Sequence, residues 1–362
     1  MGHCHSTENV TPPPRTASAR RRMSAKMREK VAVPLRQAIP MPPTQVMEAR
    51  GALAAEPLDM SPFHRKKAVS PAHNHLLLFV SPTDPILDDT DFLDAPDVVG
   101  TSIAVSIPPP AGPVRHIAAL TVQNKSFKAH MEDACVVEPA LGPLGLQFCA
   151  IYDGHAGSFV SNYLARHLHM DVAARVSSSV DIPTALVDSF AAMDAALEDM
   201  AADRCGSTAV VCAALGSCVT VANLGDSHCL HVTSTHVARV TTDHHVRNAD
   251  EVTRIKDCRG IILNQRVSGV SKVTRALGQN EEKDFVISAP AIATLDVGDD
   301  GGCFVLMSDG VTDVLGDEEI AAHVRRGLEA GWSLSLVCRS LVDLCKLKRA
   351  SDNMSIALLQ IA

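Results

Sequence analysis

The chain has 362 residues, of which 33 are basic and 41 acidic, giving a net charge of −8. An acidic protein binds the phosphates of nucleic acid poorly, so we expect no nucleic-acid partner. The 11 cysteines show no CxxC spacing, and no apolar run approaches the roughly 20 residues of a membrane span. These features predict reduced thiols in a cytoplasmic protein without a membrane-spanning helix.

The first third of the chain differs in composition from the rest. Seventeen of the 21 prolines lie in residues 1–114. Proline fixes φ and removes a backbone donor, so residues 1–114 are predicted to be a largely irregular extension. The acidic excess lies in residues 115–362, which carry 21 basic and 30 acidic side chains. We interpret residues 115–362 as one globular domain and expect a monomer.

The N-terminus carries an acylation pattern. Gly2 with Ser6 matches the acceptor motif for myristoylation, and Cys4 stands where a palmitate is often added. Residues 11–36 carry eight basic side chains and one acidic side chain. One acyl chain holds a protein only marginally, and a second acyl chain or a basic stretch makes the attachment stable. The sequence thus predicts membrane association through acylation; a basic tail without a partner and an organelle transit peptide are the alternatives.

From His116 onward, short apolar runs end abruptly at acidic residues or glycines. The runs are LQFCAIYDGH, SCVTVANLGDS, CFVLMSDG and SDNMSIALLQI, and each is typical of a buried strand. Helical spacing lies between them, at Val160, Leu164 and Leu168, after Pro183, and over residues 318–346. Residues 206–246 resemble a β-meander. Strands grouped between paired helices, without βαβ alternation, predict an α+β domain with antiparallel sheets.

Carboxylates stand at the ends of these runs. Seven account for most of the negative charge of the domain: Glu132, Asp133, Asp153, Asp226, Asp309, Asp313 and Asp352. Taken singly, each is an ordinary turn residue. Metal-dependent phosphoryl chemistry, however, needs hard oxygen ligands that converge from distant parts of a chain. The whole series therefore favours a divalent-cation site.

The order of these segments is similar to that of a known family. AHMED, AIYDGHAG, CGSTAVV, VANLGDS, TTDHH, VTRALG, FVLMSDGVTDVL and ASDNMSI resemble the motifs of the protein phosphatase 2C family across residues 116–362. The resemblance implies a central antiparallel β-sandwich flanked by helix pairs, a four-layer αββα arrangement. It also implies hydrolysis of phosphoserine and phosphothreonine on phosphoprotein substrates, with two Mg²⁺ or Mn²⁺ ions per site and a weaker third.

The resemblance also assigns roles to residues. The expected metal ligands are Asp153, the Gly154 carbonyl, Glu132, Asp309 and Asp352, with Asp226 and Asp313 at the third position. Asp133 is expected to orient a metal-bound water. His155 is expected to act as general acid, and its chemistry suits that role. Lys128 stands at the position of an arginine that grips the phosphate.

Several residues depart from the family pattern. They are Lys128 for arginine, Ala156 for glycine, Gln279 for aspartate, His228 for arginine, and His245-Val246 for lysine-proline. A lysine keeps the charge but loses the bidentate fork, so weaker substrate grip is expected rather than lost chemistry. The alternatives to an active enzyme are a pseudophosphatase scaffold and a membrane adaptor. All seven carboxylates are present, which favours the enzyme.

Overall fold

The computed structural model describes residues 100–107, 112–177, 180–200, 202–297 and 301–361. The predictions for Gly2 and Cys4, and the irregular character predicted for residues 1–99, lie outside these residues. None of the helices within the described ranges has the length and apolar character needed to cross a bilayer.

Sixteen strands and six helices follow one another along the described part of the chain. The strands are β1 (Gly100–Ser106), β2 (Val114–Val122), β3 (Ala134–Leu141), β4 (Leu146–Tyr152), β5 (Gly154–His155), β6 (Gly206–Ser207), β7 (Ala209–Leu215), β8 (Cys218–Leu224), β9 (His228–Val232), β10 (Val237–Arg239), β11 (Ile262–Leu263), β12 (Arg266–Val267), β13 (Leu277–Gly278), β14 (Ala291–Asp296), β15 (Cys303–Met307) and β16 (Met354–Ile361). The helices are α1 (Phe159–Ser177), α2 (Ile182–Leu197), α3 (Ala249–Asp257), α4 (Asp309–Thr312), α5 (Asp317–Glu329) and α6 (Leu334–Leu347).

Two large antiparallel sheets form the centre of the domain. The first has six strands in the order β1-β2-β16-β15-β9-β10, and the second has five in the order β14-β8-β7-β4-β3. Two small sheets, β13-β6-β5 and the hairpin β11-β12, lie outside them. The predicted α+β class and antiparallel pairing are confirmed.

Strand β4 shows why the apolar runs are continuous. All seven of its residues are buried, because both faces of its sheet are covered. Phe148 and Tyr152 belong to the cluster that the second sheet shares with α1 and α2. Cys149 and Ile151 point the other way, into the cluster between the two sheets. A strand covered on both faces loses the polar alternation of a half-exposed one.

The helices cover the outer faces of the two sheets, which completes the predicted αββα layers. In α1 the predicted stripe Val160, Leu164 and Leu168 is fully buried against the second sheet. Helices α5 and α6 pack on the first sheet, with Val324 and Leu341 in the shared cluster. The apolar stripe of each helix therefore faces a sheet, as amphipathic spacing requires.

Two predicted elements are divided in the structure. The helical stretch over residues 318–346 is α5 and α6, separated at Gly331, whose φ of +73° ends a right-handed helix. The meander over residues 206–246 changes sheet between β8 and β9. The sequence did not reveal this crossover, because the Gly225–Ser227 turn that joins the two sheets is as short as the turn of a β-hairpin. This crossover carries Asp226.

Strand β1 lies inside the region predicted to be irregular. Seven residues, Gly100–Ser106, pair with β2 in antiparallel register and extend the first sheet at its edge. The alternation of half-buried and exposed residues over this strand was masked by the neighbouring Pro108–Pro110 run, which begins two residues after the strand. The boundary between residues 114 and 115 stays a prediction, but the first sheet begins before it.

Residues 249–290 form a segment beside the sandwich, the flap. It holds α3, the β11-β12 hairpin and a small core of its own around Ile255 and Val286. Glu251 is its polar centre, with a side chain only 3% exposed. Its carboxylate accepts hydrogen bonds from Arg254 (2.8 Å), Arg275 (2.5 Å) and the Thr274 hydroxyl (2.8 Å). The flap is thus closed around one buried anion.

We expect Glu251 to make flap stability depend on pH. Burial alone would raise its pKa, but the two arginines outweigh it and lower the pKa to about 2 from an ordinary 4.5. A depressed pKa stabilises the folded state above about pH 4.5, and this contribution is lost as the pH falls toward 2. The substitution Glu251→Gln should cost about 3 kcal/mol at pH 7, since it leaves two half-buried arginines without their anion.

Urea unfolding of wild type and Glu251→Gln at pH 7 and pH 3.5 measures this difference. The difference in the free energy of unfolding between wild type and Glu251→Gln should be smaller at pH 3.5 than at pH 7. The control is Glu319→Gln, which removes a surface pair with Lys348 and should cost less than about 1 kcal/mol. An equal loss of stability in Glu251→Gln and Glu319→Gln would contradict the role of Glu251 as the buried anion that stabilises the flap.

Candidate active site

The acidic residues of the second sheet meet because its strands are antiparallel. Ala134 is the register partner of Tyr152. Asp133, which precedes β3, and Asp153, which follows β4, therefore lie at the same end of the sheet. Strand β7 is antiparallel to both β4 and β8, so β8 ends there too, and Asp226 follows it by two residues.

The first sheet brings its own acidic residues to the matching end. Met307 of β15 pairs with Ile356 of β16. Asp309 begins the short helix after β15, and Asp313 caps its far end. Asp352 lies two residues before β16. These three carboxylates are thus placed by the two central strands of the six-stranded sheet.

Hydrogen bonds between the two sheets hold both groups of residues together. The backbone N–H of Asp309 donates to Asp153 Oδ2 over 3.3 Å. The Ser355 hydroxyl donates to Asp133 Oδ2 over 2.7 Å. Because 156 and 222 residues separate the partners in sequence, the site exists only once the sandwich has closed.

The carboxylates influence one another electrostatically. Burial raises the pKa of Asp153 well above its ordinary value. Four neighbouring carboxylates raise it further: Asp133, Asp309, Asp226 and Asp352. Such mutual elevation requires like charges that are near one another in a poorly solvated space.

The same pattern holds for the other buried members. Burial raises the pKa of Asp133 to about 7 against the hydrogen bonds of Ser355 and Ser308, with Asp309 and Asp352 adding to the rise. Burial, and then the charge of Asp309, raises the pKa of Asp226 to about 7. Burial and Asp352 raise that of Asp309. The cluster cannot hold its full negative charge at neutral pH without compensating cations.

Two of the predicted ligands have protein partners. Glu132 Oε1 accepts the Gly157 N–H over 2.6 Å. Asp352 Oδ1 lies 2.5 Å from the Lys128 ammonium. Burial opposes the charge of Lys128, but Asp352, Glu132 and Asp153 outweigh it and raise the pKa of the lysine. Lys128 therefore lies against the carboxylate cluster.

The donor set fits hard divalent cations. Over the described ranges, no group of three histidine, cysteine or acidic side chains is already arranged to hold a metal ion. The chemistry nevertheless matches, because the cluster offers buried carboxylate oxygens whose mutual repulsion a cation would relieve. Mg²⁺ and Mn²⁺ prefer such oxygens. Gly154, whose carbonyl is the remaining predicted donor, is buried in β5.

Comparison with known proteins agrees with this geometry. The profile of protein phosphatase 2C matches residues 120–354. Human protein phosphatase 1A is 32% identical over 261 residues, which cover 65% of this chain and 68% of that protein. The probable protein phosphatase 1N of Mus musculus is 34% identical over 248 residues, 64% of this chain and 61% of that protein.

The fold comparison gives the same result. The crystal structure of a serine-threonine phosphatase 2C from Toxoplasma gondii matches with a TM-score of 0.58 at 20% identity, covering 72% of this chain and 99% of that one. The chain belongs to the protein phosphatase 2C family. It is accordingly a metal-dependent serine/threonine protein phosphatase.

The predicted general acid of this phosphatase lies beside the carboxylate cluster. His155 Nε2 donates to Gln279 Oε1 over 2.8 Å. Burial lowers the pKa of His155, and the bond to Gln279 and the charge of Glu132 only partly offset this. An amide at position 279 orients the imidazole but carries no charge, whereas the aspartate of the family pattern would stabilise an imidazolium.

Asn353 is a site residue that the sequence analysis quoted without giving it a role. Its Nδ2 donates to the carbonyls of Gln123 (2.7 Å) and His130 (3.1 Å), and its Oδ1 accepts the N–H of Glu132 (2.8 Å). One buried amide thereby ties the loop that carries Lys128 and Glu132 to β16. Its place next to Asp352 in the ASDNM motif was the available signal.

A polar cavity of about 460 Å³ adjoins the cluster. It is lined by Asp226, His228, Arg239, Asp243, His245, Arg247, Asp309, Thr312 and Asp313. The predicted third metal position therefore forms one edge of this cavity. Two residues that depart from the family pattern, His228 and His245, also line it.

The turn after Asp153 carries backbone strain. Ala156 has a φ of +54°, in the left-handed region where a Cβ clashes with the backbone. Gly157 follows with a φ of +124° and donates to Glu132. The family glycine at position 156 would adopt this turn without strain, so the phosphatase keeps the turn geometry at a cost in stability.

The substitution Ala156→Gly should stabilise the phosphatase by about 1 kcal/mol, because it relieves the left-handed strain. Urea unfolding of the metal-free protein measures the change. As a matched control, Ala165→Gly in the right-handed helix α1 should destabilise by about 1 kcal/mol. Destabilisation at both positions would show that the turn at 156 is not strained.

Proposed function

We propose that this phosphatase hydrolyses phosphoserine and phosphothreonine with a water activated by two Mg²⁺ or Mn²⁺ ions. The supporting observation is the convergence of buried carboxylates from both sheets, each raising the pKa of the others. The residues that would hold the ions are Asp153, the Gly154 carbonyl, Glu132, Asp309 and Asp352, with Asp226 and Asp313 at a weaker third position. Bound ions of this kind supply a hydroxide at neutral pH and neutralise phosphate oxygens.

The side chains around the ions have separate tasks. Asp133, fixed by Ser355, accepts a hydrogen bond from the attacking water and so orients it. Lys128 contributes positive charge to the phosphate oxygens. His155 donates a proton to the departing serine or threonine oxygen. Phosphoryl transfer depends mainly on positioning and charge, so no side-chain nucleophile is required.

The pseudophosphatase alternative has no supporting observation. A scaffold that had lost its chemistry would be expected to lose carboxylates, and all seven predicted acidic residues are present. The cluster is also energetically costly without cations, since its members repel one another while buried. The phosphatase reading accounts for that cost, because function requires the cluster.

Activity should depend on both the metal and the carboxylates. The full chain should hydrolyse a phosphoserine peptide in Mn²⁺ or Mg²⁺ and lose this activity in excess EDTA. Asp153→Asn and Asp309→Asn should each lower kcat by about 100-fold or more. Neither should lower the melting temperature of the metal-free protein, because each removes a buried charge that its neighbours repel.

The control is Asp343→Asn, an exposed residue that pairs with Arg339 on α6. It should leave kcat unchanged. Full activity of either cluster variant, or full activity in EDTA, would refute the metal mechanism.

We further propose that the phosphatase is a cytoplasmic monomer held at a membrane surface by acylation of Gly2 and Cys4. The acceptor pattern and the basic residues 11–36 support this. A membrane adaptor without catalysis would need the same anchor, so the phosphatase assay separates the two functions.

The substitution Gly2→Ala should move the protein from the membrane fraction to the soluble fraction, because palmitoylation of Cys4 is expected to follow myristoylation of Gly2. Cys4→Ser should weaken attachment only in part, since the first acyl chain and the basic stretch remain. Fractionation of cells that express each variant measures both. Membrane retention of Gly2→Ala would exclude an acyl anchor at this residue.

A further inference from the structure

The cavity beside the cluster has two chemically different sides. Asp226, Asp309 and Asp313 are the carboxylates of the predicted third metal position, so bound cations would compensate this edge. The remaining charged residues of the lining are Arg239, Asp243 and Arg247. At about 460 Å³ the cavity lies within the size range of small-ligand pockets, and it is larger than one phosphate group requires.

Asp243 is already satisfied by neighbours. His228 Nε2 lies 2.7 Å from its Oδ1, and Arg239 Nη1 lies 3.2 Å from its Oδ2. Burial raises the pKa of Asp243, but the contacts with His228 and Arg239 outweigh it and lower the pKa. Arg239 also forms two hydrogen bonds with Asp317, of 2.8 and 2.7 Å. Both charges are thus engaged within the protein.

Arg247 differs from these residues. It lines the same cavity and is exposed. The described part of the chain provides no hydrogen bond or ion pair for its guanidinium. An arginine at a cavity wall with all five donors available suits a carboxylate or phosphate, which it can bind through two parallel hydrogen bonds.

We propose that this cavity is a substrate subsite for a second anionic side chain of the phosphopeptide, bound by Arg247 next to the scissile phosphoserine. The anion is a carboxylate or a second phosphate near the scissile residue in sequence. Asp309 and Asp313 border both the cavity and the metal site, so one short peptide reaches both. This inference rests on the phosphatase function proposed above and adds a substrate class to it.

Three peptides of one sequence test the subsite on the Mn²⁺-loaded full chain. Each carries one phosphoserine, and the nearby residues on both sides are alanine, glutamate or lysine. Wild type should favour the glutamate peptide over the alanine peptide by about fivefold in kcat/KM, the effect of one partly exposed ion pair. Arg247→Gln should remove this preference, and Arg247→Glu should reverse it in favour of the lysine peptide.

The matched control is Arg166→Gln. Arg166 is exposed on α1, lies outside the cavity lining and has no ion pair within the described residues. Its substitution should leave the ratio between peptides at the wild-type value. An equal loss in this variant would show a general charge effect and overturn the subsite.

Inhibition by inorganic phosphate distinguishes a peptide side chain from free phosphate as the anion that Arg247 binds. If the cavity binds a peptide side chain, Arg247→Gln should change the glutamate-to-alanine ratio of kcat/KM by a larger factor than it changes the inhibition constant for phosphate. A changed phosphate inhibition with an unaltered peptide ratio would overturn the assignment to a peptide. Hydrolysis of none of the peptides would refute the phosphatase function itself, whereas equal hydrolysis of all three by wild type would refute only the subsite.

Discussion

The repulsion among buried carboxylates is the constraint on which this structure depends. Asp153, Asp133, Asp226 and Asp309 are each shifted toward the protonated form by burial and by one another. A fold that gathers such groups must hold them by other interactions. Two rigid sheets, each covered on both faces, supply these interactions from apolar burial rather than from the site itself.

The sandwich turns this constraint into geometry through antiparallel pairing. The acidic residues follow or precede strands whose ends coincide by register, as at Ala134 with Tyr152 and Met307 with Ile356. Hydrogen bonds then fix single atoms, such as Ser355 to Asp133 and Gly157 to Glu132. Precision at the site is therefore inherited from the layers beneath it, which suits a reaction governed by positioning.

Much of this could be predicted from the sequence because the relevant signals are local. The run LQFCAIY and the spacing of Val160, Leu164 and Leu168 each specify an element and its buried face. Non-local facts were not predictable in the same way. The change of sheet at Asp226 depends on tertiary contacts, and β1 was obscured by adjacent prolines.

The contacts inside the site show the same division. The acidic series predicted which carboxylates would gather, but not that Lys128 contacts Asp352 or that Glu132 receives the Gly157 N–H. Such pairings depend on side-chain directions set by the loop between β2 and β3, which Asn353 anchors from the opposite end of the chain. A local sequence pattern cannot predict the contact of Asn353 with this loop, because the two segments are far apart in the chain.

The departures from the family pattern spare the acidic residues of the site. The acidic residues expected to hold metal are all retained. Of the departures, His228 and His245 line the adjoining cavity, Gln279 contacts His155, and Lys128 contacts Asp352. Relative to the family pattern, Gln279 removes a negative charge beside His155, and Lys128 replaces an arginine and so loses its bidentate fork. Because these changes spare the carboxylates, we expect them to alter substrate recognition and proton transfer more than the hydrolytic centre.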